Sequence, residues 1–108
     1  MSGRKSQTKG RRAEIELASI LNDHGYPVKP GAPANHGTTP DVTGLKGLHI
    51  EVKRQEKLNI YEAMAQSIRD SQKFKDGLPA VFFRKNRQDW LVAMRLEDFL
   101  AVYETYKP

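Results

Sequence analysis

Two carboxylates and a lysine stand at a spacing that suits metal-assisted hydrolysis. Asp41 precedes Glu51 by ten residues, and Lys53 lies two positions further on. Residues 44–47 begin and end with glycine, which predicts a tight hairpin turn. If that turn is centred on Lys46, Asp41 and Glu51 face each other with Cβ atoms ~4.5–5.5 Å apart. Carboxylates this close repel each other, and a hard divalent cation with oxygen ligands relieves the repulsion.

Lys53 belongs to the same strand face as Glu51, because successive side chains of a β-strand point to opposite sides of the sheet. A metal held by two carboxylates beside a lysine activates water and stabilises a pentacovalent phosphate, since cations neutralise charge that develops in the transition state. The alternative is an ordinary solvated strand face, which is the commoner explanation of one acid-x-lysine triplet. From these residues alone, both interpretations stay open.

The segments around these residues predict a mixed α/β domain, because apolar side chains recur at helical spacing in some segments and alternate in others. In chain order we expect a helix at 13–24, strands at 26–29, 41–43 and 48–53, a helix at 59–75, strands at 80–84 and 90–94, and a helix at 96–103. The order α-β-β-β-α-β-β-α indicates a mixed β-sheet flanked by helices.

The composition fits one small domain with a polyanionic partner. The 108 residues carry 18 Lys and Arg against 13 Asp and Glu, a formal net charge of +5. The absence of cysteine excludes a disulfide scaffold and thiol chemistry, and it favours a reducing compartment such as the cytoplasm. Because neither a membrane-length apolar run nor a signal-peptide core is present, we expect a soluble protein without a membrane partner.

Basic residues form three groups that could contact nucleic-acid phosphates. Residues 1–12 lack apolar side chains after Met1 and are expected to be a flexible basic arm ahead of a single domain at 13–108. The second group surrounds the end of the Glu-x-Lys strand, and the third occupies the turn before the last strand. The DNA-contact candidates are Lys9, Arg11, Arg12, Arg54, Lys57, Arg84, Lys85 and Arg87. Phosphate contacts favour binding by releasing counterions, and the alternative is a solubilising surface.

The ordered motifs resemble the PD-(D/E)xK nucleases, in particular the archaeal-type Holliday junction resolvases and their phage relatives. Pro40-Asp41 and Glu51-Val52-Lys53 match the nuclease signature. Gly10 and Glu14 match the Gly-x-x-x-Glu that opens the first helix of that family. Further matches are Gly25-Tyr26-Pro27-Val28, Tyr61, the segment from Pro79 to Phe83, and Trp90. The resemblance covers residues 10–94.

This resemblance implies a restriction-endonuclease-like fold and Mg²⁺-dependent DNA hydrolysis, in which Mn²⁺ can substitute. The catalytic residues it implies are Glu14, Asp41, Glu51 and Lys53, and the metal ligands are Asp41, Glu51 and the Val52 carbonyl oxygen. It further implies a homodimeric endonuclease selective for four-way junctions. The alternatives are an inactive DNA-binding module of the same fold and a related nuclease that prefers flaps or duplex.

Accessory positions follow the same resemblance. The family carries a serine in the loop before its aspartate strand, whereas residues 31–39 contain none, so Thr38 and Thr39 are the available hydroxyl groups. Tyr61 and Gln66, at the start and on the polar side of the second helix, are further accessory candidates. For the dimer interface, the candidates are the exposed part of that helix and the strand at 82–83.

Two acidic residues of the first helix are candidates for one further active-site carboxylate. Glu14 and Glu16 lie on opposite edges of its apolar stripe, so helix geometry does not choose between them. The glycine spacing of the family chooses Glu14, and Glu16 is then expected to be solvated or salt-bridged. His36 and His49 lack partners at ligand spacing, so zinc is not expected. We expect His49, which shares a strand face with Glu51, to be a satisfied or solvent-facing histidine.

Overall fold

Three helices and five strands follow one another in the expected order within residues 2–31 and 40–106, which the computed structural model describes; side chains are described from residue 10 onward. The elements are α1 (Ser2–Asp23), β1 (Lys29–Pro30), β2 (Val42–Thr43), β3 (Gly47–Arg54), α2 (Ile60–Phe74), β4 (Gly77–Arg84), β5 (Leu91–Met94) and α3 (Leu96–Tyr103). The predicted α/β class and element order are therefore confirmed.

The five strands form one mixed sheet in the order β1-β2-β3-β4-β5. The pairs β1–β2, β2–β3 and β4–β5 are antiparallel, and the central pair β3–β4 is parallel. A parallel pair needs a long crossover connection, and α2 supplies it. As a result, β3, which carries Glu51 and Lys53, lies at the centre of the sheet.

The hairpin between β2 and β3 has the register expected from the sequence. Gly44 and Gly47 have φ angles of +113° and +91°, a region that glycine enters without steric cost. Val42 pairs with Ile50, so Asp41, one residue earlier, stands level with Glu51 on the neighbouring strand. The predicted juxtaposition of the two carboxylates is confirmed.

The two faces of β3 have different surroundings. Ile50 and Val52 join the apolar core, which α1 supplies with Ala13, Leu17 and Ala18. The opposite face carries His49 and Glu51, 1% and 5% exposed, and α2 covers that side. Alternation along one strand therefore separates an apolar layer from a buried polar layer.

The helix α2 begins at an ordinary cap, where the Asn59 side-chain oxygen accepts from the Glu62 backbone N–H at 3.1 Å. It ends at Phe74, followed by the cap residue Lys75 in the left-handed conformation with φ +52°, so the predicted end at residue 75 is met to within one residue. Gly77 begins β4. A Cβ atom there would lie 2.3 Å from the Gly47 carbonyl carbon, so the close approach of β3 and β4 requires glycine.

The helix α1 begins at Ser2, whereas the sequence placed its start at residue 13. The apolar stripe defined the expected start, but Arg, Lys and Gln are good helix formers and can extend a helix beyond its packed part. The flexibility of residues 1–12 stays a prediction. The side chain of Lys9 lies outside the described residues, as do His36, Thr38 and Thr39.

Apolar side chains are exposed on β5 and α3. Leu91 and Val92 are both 55% exposed and Leu96 is 71% exposed, while Phe82, an expected interface residue, is only 7% exposed because it packs in the core. The sequence expectation of an interface at residues 82–83 is therefore wrong for Phe82. Within the described residues, no helix is both long and apolar enough to span a membrane.

Candidate active site

Asp41 and Glu51 lie side by side where β2 begins beside β3. The Asp41 Oδ2 atom accepts a hydrogen bond from the Val52 backbone N–H at 2.8 Å, and the charge of Glu51 acts directly on the Asp41 carboxyl group. The Asp41 carboxylate thus accepts the hydrogen bond that a backbone carbonyl of a neighbouring strand would otherwise accept from Val52. This arrangement places both carboxylates beside the Val52 peptide unit.

The electrostatics of the site show an excess of negative charge. Burial raises the pKa of Asp41 to about 7, the charge of Glu51 adds to the rise, and the Val52 N–H partly opposes it. The charge of Glu14, reaching in from α1, raises the pKa further. A buried carboxyl group whose ionisation is opposed by neighbouring acids provides, together with them, a suitable oxygen donor set for a hard divalent cation. The three acids predicted from the sequence therefore converge.

Because the pKa of folded Asp41 is about 7 and its ordinary value is 3.8, the metal-free protein binds a proton that the unfolded chain releases. Its contribution to stability is fully present below pH 4 and is lost as the pH rises through 7. We expect the free energy of unfolding, measured by urea titration without metal, to fall by roughly 2–3 kcal/mol more between pH 5 and 8 in the wild type than in Asp41→Asn. Equal pH dependence in the two proteins would contradict this.

Glu16 and Glu14 have different partners. The Glu16 carboxylate accepts from Arg84 at 2.8 and 2.9 Å and from the Trp90 indole N–H at 2.7 Å, and the hydrogen bond from Arg84 lowers its pKa. The expectation that Glu16 is salt-bridged is confirmed. Glu14 instead lies 3.7 Å from Arg11 Nη1 and within electrostatic reach of Asp41.

Three polar residues that the sequence did not assign to the site are linked to Glu51: His49 and Asp70 directly, and Asp76 through His49. His49 Nε2 lies 3.4 Å from Glu51 Oε1, and its Nδ1 contacts both carboxylate oxygens of Asp76 at 2.9 and 3.0 Å. Asp70, on α2, has a raised pKa because of burial and then the charge and hydrogen bond of Glu51. His49 is thus satisfied, as expected, but His49, Glu51 and Asp70 offer ligand atoms within 4.8 Å of one another. Strand alternation places His49, whereas the aspartates arrive by tertiary packing.

The remaining candidates lie around this centre. Lys53 is half-buried on the strand face of Glu51. Gln66 is half-buried on α2 four residues before Asp70, a spacing that places both on one face of the helix. Tyr61 is 85% exposed in the first turn of α2, which leaves its ring free of the core.

A basic cleft lies beyond the carboxyl ends of β3 and β4. It has a volume of about 720 Å³ and is lined by Arg54, Arg84, Asn86 and Arg87. Arg54 pairs with Arg84 in the parallel register and donates to Asn86 Oδ1 at 2.6 Å. The buried Nε–H of Arg54 has no hydrogen-bond partner among the described residues. Lys57 and Lys85 are exposed nearby in the chain.

Arg11 and Arg12, on α1, do not form part of the cleft lining. The Nη1 group of Arg11 donates to the Gly31 carbonyl oxygen, which ties α1 to the segment after β1. Arg12 is exposed. Arg11 therefore has a structural partner, and Arg12 presents its charge to solvent.

Comparisons with known proteins concern the family and the fold of the chain. The model of the family described as archaeal Holliday junction resolvase (hjc) matches residues 5–105. Among solved structures, the chain is similar to the Holliday junction resolvase Hjc of Archaeoglobus fulgidus, with 23% identity and a TM-score of 0.55, over 78% of this chain and 70% of that chain. This second likeness concerns the fold. A search of curated proteins gives no significant match.

Proposed function

The chain belongs to the archaeal Holliday junction resolvase (hjc) family of nucleases, and from this premise we propose that it is a Mg²⁺-dependent endonuclease that hydrolyses DNA phosphodiester bonds at four-way junctions. The observation that carries the proposal is the juxtaposition of Asp41 and Glu51, fixed by the hydrogen bond from the Val52 N–H. Because the pKa of Asp41 is raised to about 7 in the metal-free protein, cation binding would displace its proton.

The Asp41 and Glu51 carboxylates and the Val52 carbonyl oxygen would hold the cation, Mg²⁺ or in its place Mn²⁺. When bound, the cation neutralises the phosphate and lowers the pKa of water. Lys53, on the same face as Glu51, would orient the attacking water or stabilise the negative charge that grows on the phosphate. Glu14 would complete the acidic side of the site from α1.

The basic cleft is the proposed contact surface for the DNA backbone. Arg54 follows Lys53 directly and is three residues from Glu51. Given a rise of ~3.3 Å per residue, Arg54 lies within ~10 Å of Glu51 along β3. The guanidinium groups of Arg54 and Arg87, which line the cleft, can donate to phosphate oxygens, and such charge-assisted hydrogen bonds are short and strong. The exposed Lys57, Lys85 and Arg12 would add further phosphate contacts.

We assign the homodimer contact to the exposed apolar surface of β5 and α3. Phe99 and Leu100, 47% and 46% exposed, add to the exposed apolar side chains Leu91, Val92 and Leu96 of these two elements. A large exposed apolar patch marks an association surface. A twofold dimer would hold two active sites at a fixed separation, which suits two nicks placed symmetrically across a junction.

Cleavage of matched synthetic duplex, flap and four-way junction substrates tests the proposed function. We expect paired nicks in the junction with Mg²⁺, much slower cleavage of duplex and flap, and no cleavage with a chelator. Binding without cleavage under all conditions would identify the inactive DNA-binding module instead. Equal cleavage of all three substrates would leave a nuclease but contradict junction selectivity.

The dimer is tested by light scattering on the free protein and on Leu96→Glu. We expect a dimer in the wild type and a folded monomer in the variant, because a buried unpaired carboxylate opposes association. The monomeric variant should cut only one strand of a junction at a time, so its cuts should not occur in pairs. A wild-type monomer, with and without junction bound, would contradict the assignment.

A further inference from the structure

One contact chain reaches Glu51 from outside the proposed catalytic residues. It begins at Asp76, passes through His49, and ends at Glu51 Oε1. The imidazole is 1% exposed, so its two nitrogens depend on protein partners. Each nitrogen faces a carboxylate, and the protonated ring can donate to both. The ring thereby connects two acidic groups from different parts of the fold.

The orientation of this ring is set by the junction of α2 and β4. Phe74, the last residue of α2, stacks on the His49 ring with centroids 6.1 Å apart and an angle of 16° between planes. The left-handed Lys75 follows, and the chain then reaches Asp76 beside the Nδ1 atom. Phe74 and Asp76 thus contact the ring from two sides, and Nε2 faces Glu51.

We infer that His49 is a positioning residue for Glu51: held by Asp76 and Phe74, it fixes one carboxylate oxygen so that Glu51 meets Asp41 in the arrangement that binds a divalent cation. This inference rests on the proposed metal site. Metal-binding carboxylates are themselves held by hydrogen bonds in many proteins, and loss of such outer partners costs about 10–100-fold in metal affinity.

Competition around Glu51 explains why the carboxylate needs such a partner. Glu51 stands level with Asp41 across the hairpin and offers a ligand atom within 4.8 Å of one on Asp70. Without a further contact, its carboxylate can turn towards either acidic group. The contact of His49 with Oε1 at 3.4 Å restricts this rotation.

Mn²⁺ binding to the DNA-free protein, followed by electron paramagnetic resonance, tests this role without relying on catalysis. We expect His49→Leu to weaken Mn²⁺ affinity by roughly 10–100-fold and Asp76→Asn by less. His49→Gln should recover most of the affinity, because its amide can still donate towards Glu51. The matched control is His24→Leu, at the exposed end of α1, which should bind as the wild type does. Thermal melting identifies the variants that fold.

The outcomes separate this role from the metal site itself. Folded His49→Leu and Asp76→Asn proteins with wild-type affinity would overturn the positioning role, provided that Asp41→Asn loses Mn²⁺ binding. A lower number of bound ions in His49→Leu, with unchanged affinity for the rest, would make His49 a ligand and overturn it as well. A wild type that binds no Mn²⁺ would overturn the proposed site together with this inference. Should His49→Leu fail to fold, Asp76→Asn decides.

Discussion

Asp41→Asn, Glu51→Gln and Lys53→Ala should each slow Mg²⁺-dependent cleavage of a four-way junction by roughly 10²–10³-fold or more, while junction affinity stays within a few-fold of the wild type. The proposed groups act on charge that develops only in the transition state, so their loss lowers the rate rather than the affinity. Asp41→Asn also removes a carboxyl group whose ionisation is opposed by burial and by the charge of Glu51, so above pH 7 we expect it to melt above the wild type without metal.

Single-turnover cleavage with enzyme in excess, together with binding in the presence of Ca²⁺, measures both quantities. Glu97→Gln is the matched control, since Glu97 is exposed in the first turn of α3 and outside the proposed site. Near-wild-type cleavage by any of the three variants would remove that residue from the proposed mechanism. A parallel loss of affinity and rate would indicate damage to the DNA surface instead.

The second large effect is expected in the two glutamates of α1. Glu14→Gln should lose most cleavage, about 10²-fold, because its charge acts on the Asp41 and Glu51 pair. Glu16→Gln should keep the single-turnover rate but lower the free energy of unfolding by ~1 kcal/mol, the size of a partly solvated charged contact. The reason is that Arg84 loses its ion pair.

Both variants differ from the wild type by the same exchange of one carboxylate oxygen for an amide, so each serves as the control for the other. Glu14→Gln should therefore lower the cleavage rate but not the melting temperature, and Glu16→Gln should lower the melting temperature but not the cleavage rate. Equal losses of rate in the two proteins would contradict the assignment of Glu14 to the site and of Glu16 to the fold.

The juxtaposition of Asp41 and Glu51 could be predicted because it depends on local information. Two glycines define the turn, strand alternation defines the faces, and the register follows from both. The choice of Glu14 over Glu16 needed the glycine spacing of the family in addition, since helix geometry permits either glutamate. Its electrostatic link to Asp41 depends on how α1 docks on the sheet.

The contacts of His49 could not be predicted in the same way. Its position on the face of Glu51 follows from alternation, but Asp70 and Asp76 come from the crossover helix and the segment after it. Their approach depends on the parallel pairing of β3 with β4, and no spacing within the sequence encodes that distance. The contact that requires glycine at position 77 depends on the same pairing, because a Cβ atom there would meet Gly47 of β3.

The hydrogen bond from Val52 to Asp41 gives the protein a built-in reporter. A backbone amide normally exchanges its proton with solvent at a rate set by the opening of the sheet around it. The Val52 amide instead depends on a side chain whose oxygens are proposed to serve a cation. Its nuclear magnetic resonance frequency and its exchange rate would therefore respond to cation binding more strongly than those of Ile50, whose strand pairing is made by backbone. The signal of this one amide would thus report whether the proposed cation site is occupied.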